Sequence, residues 1–292
     1  MNGNNTFTLG SHESIRELAL DHLRLRGGQR DELDNLARSK SVVSLRDIQR
    51  VFHLFQFFLN HFPLLQSFPT PERARRAVLL SVALVYYLRL DETARRSFLV
   101  NYSAHPSTQG HEAQLLDVLK DALESVIRQT EIPTAIALTK GLKENVFLTL
   151  VCALSRTPLM IVGPPGCSKT LAVSIVTENA NGEESRSQFY RQFPRLQQFH
   201  YQCSKTSTST EIASIFERAI QRQSNADRSK QQCMVFMDEA GLPEEEKESL
   251  KVLHYLLEGH MSAAPQIGFG EAMSCQCFSQ RTLYLMSLMS PA

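Results

Sequence analysis

The sequence predicts an α/β protein built on a doubly wound parallel sheet, with an all-helical region in front of it. Three observations carry this expectation. An apolar run over residues 158–162 (PLMIV) leads into residues 163–170, which read GPPGCSKT, and a second apolar run, LAVSIV, follows at once. A buried strand, a tight turn and a helix start in that order are the parts of a phosphate-binding loop. A second stretch, residues 233–237 (CMVFM), is continuously apolar and ends in Asp238-Glu239. Unbroken apolar character marks a central parallel strand covered on both faces. Around these two stretches, helical and extended patterns alternate, as they do in open α/β sheets that bind ligand at the carboxyl ends of their strands.

The chain has 292 residues, with 31 basic against 30 acidic side chains. So small a net charge supplies no global field for nucleic acid or an acidic membrane surface, and direct nucleic-acid binding is not expected. The first residues, MNGNN, lack a basic-then-apolar leader, which argues against a signal peptide. The longest apolar run, residues 77–88, is too short to cross a hydrocarbon layer of ~30 Å and reads as a buried helix. Six cysteines, at positions 152, 167, 203, 233, 275 and 277, show no disulfide-framework spacing, and a reducing, cytosolic compartment is expected. Cys275-x-Cys277 has no partner pair at zinc spacing, so no metal site is read there.

In chain order, residues 1–13 are polar and rich in glycine and asparagine, and a disordered start is expected. Residues 14–130 read as helical throughout. Ile15, Leu18, Ala19 and Leu23 recur at helical spacing, and residues 31–37 present Leu33 and Leu36. Ser44 is placed to cap a helix, with Asp47 closing a capping box, ahead of an aromatic stripe through Phe52, Phe55 and Phe58 that reads as core. Pro63, Pro69 and Pro71 form a break, and a helix is expected from Pro71 to Leu90. Short and long amphipathic helices then begin at Asp91 and near Leu115.

Residues 131–292 form the second region. A helix is expected over residues 135–153, then the strand and loop. Residues 179–194 read as a polar surface excursion, and residues 198–203 (QFHYQC) as a strand. Thr208-Ser-Thr-Glu211 is a capping box opening a helix with Ile212, Ile215, Phe216, Ala219 and Ile220 on its buried face. The apolar strand ending at Asp238 follows, then a helix through Leu250, Leu253 and Leu257. His200, His254 and His260 sit in apolar or helical settings and read as structural.

The chemistry concentrates in two places. In a phosphate loop the backbone amides of Gly163, Pro164, Pro165, Gly166, Cys167, Ser168, Lys169 and Thr170 (the prolines apart, which have none) surround the phosphates, aided by the free helix end. Lys169 reaches the β- and γ-phosphates and the Thr170 hydroxyl ligates magnesium. Asp238 is then a further magnesium ligand and Glu239 the group that polarises an attacking water. The strict loop pattern has glycine before the lysine, where this chain has Ser168; that glycine often serves to let the backbone approach closely or take φ > 0. Asp238-Glu239-Ala240-Gly241 also fits the short Asp-x-x-Gly of GTPases, although no Asn-Lys-x-Asp guanine-reading motif occurs. A phosphate-loop kinase is a further alternative, without an evident substrate lid.

Gly-Pro-Pro-Gly leading to Lys-Thr, with Asp-Glu closing a later strand, resembles the AAA+ ATPases. Finer features resemble the mysterin-like family, giant ring-finger ubiquitin ligases with a tandem AAA+ core. These are Leu142-Lys-Glu-Asn-Val-Phe147 before the loop, Ser168 in place of glycine, Phe199-His-Tyr-Gln-Cys-Ser204, and Asp238-Glu-Ala-Gly-Leu242 followed by Leu250-Lys-Val-Leu-His-Tyr-Leu-Leu257. The resemblance spans about residues 41–269. It implies ATP and Mg2+ as ligands, neighbouring AAA+ modules and the ubiquitin pathway as partners, and a region before residue 130 similar to the lid of a preceding module, where Arg46 senses nucleotide. It also implies a polar sensor, usually asparagine, on the strand after Glu239. Gln266-Ile-Gly-Phe269 begins such a strand, but residues 270–275 depart from the family and no asparagine occurs after Asn225. The expectation is therefore a C-terminally truncated module, without a ring-finger constellation of its own. It either hydrolyses ATP or holds nucleotide statically as a scaffold or inactive fragment.

Overall fold

In the computed structural model of the protein the described residues are 45–104, 112–243, 249–253 and 283–289. The predicted disordered start, the helices near Ile15 and Leu33, the Ser44 cap, the helix beyond Leu253 and the strand at Gln266 lie outside them. The chain divides into two compact units between Lys120 and Asp121.

The first unit is helical. Helix α1 (Leu45–His61) and the short α2 (Pro63–Gln66) are followed by α3 (Thr70–Val82), α4 (Glu92–Ala104) and the start of α5 (Glu112–Gln129). The core of α1 is Val51, Leu54, Phe57 and Phe58; of the predicted aromatic stripe Phe58 is core, and Phe52 and Phe55 are half-buried. Phe58 and Phe62 meet edge to face at 5.2 Å, a favoured aromatic geometry. The helix predicted to run to Leu90 instead leaves α-geometry at Ala83. Residues Ala83–Tyr87 form a π-helical turn, closed by the Leu88 N–H donating to the Ala83 carbonyl at 2.8 Å. The buried Arg95 guanidinium satisfies the carbonyls of Leu88 and Leu90 just past this turn and lies over the Tyr87 ring. The carboxylate of Asp47, buried near the start of α1, is paired with Arg50 and with Arg89 from the end of α3 and its π turn. Arg46, beside it, is exposed.

The second unit carries the sheet. Helix α6 (Lys140–Ser155) is capped by Thr139, whose hydroxyl accepts the Leu142 N–H. The cap starts α6 five residues later than residue 135. It ends on Arg156 in the left-handed region, after which strand β1 (Leu159–Gly163) begins. Helix α7 (Lys169–Asn179), strand β2 (Arg195–Gln202), helix α8 (Ser209–Ser224) and strand β3 (Gln231–Asp238) alternate after it. A fourth strand, β4 (Leu283–Met289), follows. All pairings are parallel and the order is β1-β4-β3-β2. The sheet is thus the parallel α/β sheet the sequence predicts. Its fourth strand is drawn from residues 283–289 and sits between β1 and β3.

Strand β3 is buried along nearly its whole length. Alternate side chains leave a strand on opposite faces. Val235 and Met237 pack with Ile212, Ile215, Phe216 and Ala219 of α8, leaving Met234 and Phe236 for the opposite face. The capping box at the start of α8 is complete: the Thr208 hydroxyl accepts the Glu211 N–H, and the Glu211 carboxylate accepts the Thr208 N–H. The segment between α7 and β2 corrects the sequence reading. Phe189, Tyr190 and Phe193 are buried, with Phe189 and Phe193 packed edge to face and the Tyr190 hydroxyl 2.8 Å from that of Thr130. Burial pushes the Tyr190 phenol up to about 12. The polar residues around these three rings conceal the aromatic anchor in the sequence. Residues 180–194 therefore form a packed loop rather than a surface excursion.

Candidate nucleotide-binding site

After β1 the chain crosses to the far edge of the sheet at β2 and returns through β3 and β4. The reversal leaves a crevice beyond the carboxyl ends of β1 and β3, the place where open α/β sheets receive ligands. Residues 163–170 turn at the end of β1 and enter α7 with Lys169. Two residues of the turn lie at positive φ, Gly166 at 78° and Ser168 at 63°. The position where the strict loop pattern has glycine is thus left-handed in this chain too, and serine occupies it. A non-glycine residue there carries roughly 1–2 kcal/mol of strain. Glycine would relieve that strain and give part of it back as unfolded-chain entropy. Ser168→Gly is therefore expected to leave the thermal midpoint equal to or above the wild-type value. Ser168→Val, with a branched Cβ in the same backbone, is expected to lower stability by about 1–2 kcal/mol. Equal midpoints for the glycine and valine variants would refute the strained assignment.

Lys169 is buried, and its ammonium lies among the loop's own carbonyls. Nζ donates to the Gly163 oxygen at 2.8 Å and the Pro164 oxygen at 3.0 Å, with the Cys167 sulfur at 3.5 Å. A Cβ on Gly163 would stand 2.7 Å from that sulfur, so the packing of Cys167 over the strand end explains the glycine. Pro165 completes the turn. From α6 the Asn145 amide donates to the Cys167 carbonyl at 3.1 Å, tying the loop to the preceding helix.

The two predicted magnesium ligands meet. The Thr170 hydroxyl donates to Asp238 Oδ2 at 2.7 Å, across 68 residues of sequence. The second carboxylate oxygen, Oδ1, accepts the Glu239 N–H at 3.0 Å. Both Asp238 oxygens are therefore fixed, on a side chain that is buried. Glu239, the next residue, has φ 52°. A bulky residue in the left-handed region at the end of a strand is a strained arrangement of a kind that clusters at functional sites. Its Oε2 accepts the Gln202 amide at 2.9 Å. Gln202 is the last residue of β2 and lies in register with Asp238. Cys203, next in the chain, is buried; desolvation, then the negative charges of Asp238 and Glu239, push its thiol up to about 11 and keep it protonated at neutral pH.

Asn145 and Gln202 were not among the site residues that the sequence predicts. Beyond β3, the register sets Ser287 of β4 beside Ile161 of β1. Among the described residues, three or more histidine, cysteine or acidic side chains nowhere converge as a metal centre.

Comparison with known proteins gives the family of the chain. The model of the RNF213 AAA domain matches residues 135–281, half of the chain. A putative uncharacterized transmembrane protein of Dictyostelium discoideum is 32% identical over 257 residues, covering 77% of this chain. The E3 ubiquitin-protein ligase rnf213-beta of Danio rerio is 31% identical over 233 residues, and the E3 ubiquitin-protein ligase RNF213 of Mus musculus is 31% identical over 231 residues, covering 77% and 74% of the chain. The chain spans 4% of the length of each of these relatives. Among the described residues no helix is long and apolar enough to cross a membrane. A left-handed serine before the loop lysine, on a parallel sheet of this order, is thus found in a chain that belongs to the RNF213 AAA domain family.

Proposed function

We propose that this AAA-type nucleotide-binding module binds ATP with Mg2+ and hydrolyses it. The observation that carries the proposal is the 2.7 Å contact between the Thr170 hydroxyl and Asp238, which joins the end of the phosphate loop to the end of β3. Two hard oxygen donors held together beside a phosphate loop fit magnesium. When bound, the ion neutralises charge on the β- and γ-phosphate oxygens. The amides of residues 163–170 bind the phosphates, and Lys169 turns its ammonium from the loop carbonyls towards them. Thr170 and Asp238 hold the ion. Glu239 orients a water and accepts its proton, while Gln202 fixes the carboxylate that does so. Most of the catalysis in such a site is positioning and charge stabilisation, and the free energy of hydrolysis is expressed as movement between modules.

In this proposal the module works within a larger cytosolic chain, with neighbouring AAA+ modules and ubiquitin-pathway proteins as partners; the similarity to RNF213 ubiquitin ligases supports this reading. A second reading, a static nucleotide holder, is favoured by one observation: β4, the strand between β1 and β3, has the sequence LYLMSLM and no asparagine. Titration of the chain with ATP, in magnesium and in EDTA, tests binding, and steady-state phosphate release separates the readings. Magnesium-dependent ATP affinity that GTP does not match, accompanied by phosphate release, is the expected result. Binding without release supports the static holder, and preference for GTP overturns the ATP assignment.

A further inference from the structure

A second cleft lies at the other end of the sheet. It has a volume of about 330 Å³ and is bounded by the first residues of β2 and β3 and by the ends of α7 and α8. Its walls include Arg195, Arg222, Gln197, Gln198, Gln231 and Thr177. The phosphate loop and Asp238 stand at the carboxyl ends of the strands, whereas Arg195 and Gln231 are the first residues of theirs and pair in register. No lining residue is acidic.

The side-chain hydrogen bonds in this cleft run among arginine, glutamine and threonine, with no carboxylate taking part. Gln197 Oε1 accepts both Arg222 Nε, at 3.2 Å, and Gln231 Nε2, at 2.5 Å. The Thr177 hydroxyl lies 3.4 Å from Gln198 Oε1, with the Val173 and Ser174 carbonyls of its own helix nearer, at 3.0 and 3.1 Å. Arg222 thus spends Nε on an amide and keeps its two terminal nitrogens clear of any protein partner among the described residues. Arg195 makes no side-chain hydrogen bond or ion pair there; only its backbone N–H is engaged, with the Lys230 carbonyl at 2.8 Å. The one acid in the loop entering β3, Asp227, is turned onto the Ser229 N–H and hydroxyl. That loop adds Arg228 and Lys230. Burial, and after it the charge of Arg228, hold the Arg156 guanidinium below its usual value.

We infer that this cleft is an anion site for a phosphate group, held between the guanidiniums of Arg195 and Arg222 and separate from the nucleotide. Planar guanidinium forks match tetrahedral oxyanions by paired hydrogen bonds, and fixed side-chain amides add donors without charge. The cleft is larger than a bare phosphate ion, so the group arrives either as inorganic phosphate or as the phosphate of a small phosphomonoester.

The two sources are distinguished in the full 292-residue chain carrying Lys169→Ala, which removes the phosphate loop's ammonium from the measurement. Inorganic phosphate and glycerol 3-phosphate are titrated separately at constant ionic strength, followed by amide chemical shifts. Saturable binding of one or both is expected, with shifts confined to the amino ends of β2 and β3. Arg195→Gln with Arg222→Gln is expected to weaken it at least about tenfold, and Arg222→Lys, which keeps the charge and loses the fork, to weaken it less. Tighter binding of glycerol 3-phosphate assigns a phosphomonoester, and equal or weaker binding assigns the free ion. Saturation unaffected by the double substitution, or none up to 10 mM (a concentration above the ~1 mM regime of weak specific sites), overturns the inference. Unchanged thermal midpoints in the variants exclude unfolding as the cause.

Discussion

Lys169→Ala is expected to weaken ATP binding by at least about 100-fold, measured by calorimetry in magnesium, which corresponds to ~2.7 kcal/mol. The size follows from what the ammonium does. It is a buried cation whose donors are directed to the Gly163 and Pro164 carbonyls and the Cys167 sulfur of the same loop. A phosphate entering that loop exchanges neutral acceptors for charged oxygens. Hydrogen bonds between charged groups contribute roughly 1.5–3 kcal/mol each. Loss of one or two of them accounts for the expected factor without any change elsewhere. The same contacts brace the free loop, so its stability is measured alongside. A lower midpoint together with weaker affinity would assign part of the loss to the loop's own packing, through the contacts to Gly163, Pro164 and Cys167. Equal affinity in wild type and variant would sink the proposed site altogether.

What the sequence conveyed and what it hid differ by how far apart the partners stand along the chain. The loop and the Asp238-Glu239 pair were legible because each is a contiguous run whose residue types are dictated by local backbone geometry. Ser168 illustrates this. The concern that glycine supplies φ > 0 at its position came from the pattern alone, and the structure shows serine at φ 63°. The parallel sheet was legible for a similar reason, since residues 233–237 lack the alternation of a half-exposed strand. Asn145 and Gln202 were not legible as site residues. They are ordinary polar residues at a helix and a strand end, and only the tertiary fold brings them to Cys167 and Glu239. One signal for Gln202 was available: it is the last residue but one of the predicted strand, and polar residues near the carboxyl ends of parallel strands share one edge of the sheet.

Strand β4 was not legible in the sequence, although residues 283–289 form an apolar run; the strand expected at Gln266 lies outside the described residues. The pairing of β4 with β1 and β3 together turns on long-range register, which a single strand's composition does not encode. The π turn at Ala83 is similar. Its residues, Ala83-Leu-Val-Tyr-Tyr87, include no glycine or proline to mark a break, and the departure from α-geometry accompanies the Arg95 guanidinium, which satisfies carbonyls just after it.

Glu239→Gln is expected to leave ATP affinity within about twofold of wild type and to slow phosphate release by about 10²–10⁴, the usual contribution of a positioned general base. The change is nearly isosteric, so the effect isolates basicity from shape. Two contacts argue that the backbone will stay in place: the residue 239 N–H donates to Asp238 Oδ1, and Asp238 is itself held by Thr170. Neither contact involves the substituted atoms. The contact that does involve them is the Gln202 amide at 2.9 Å, and a glutamine at 239 can still accept it through its carbonyl oxygen. The variant therefore preserves the carboxylate's position and removes its capacity to take a proton. If affinity falls together with turnover, Glu239 belongs to the binding of the ion or the phosphates rather than to the attack of water. If turnover is unchanged, the base lies elsewhere, and the strained φ of residue 239 must be explained by its hold on Asp238 alone.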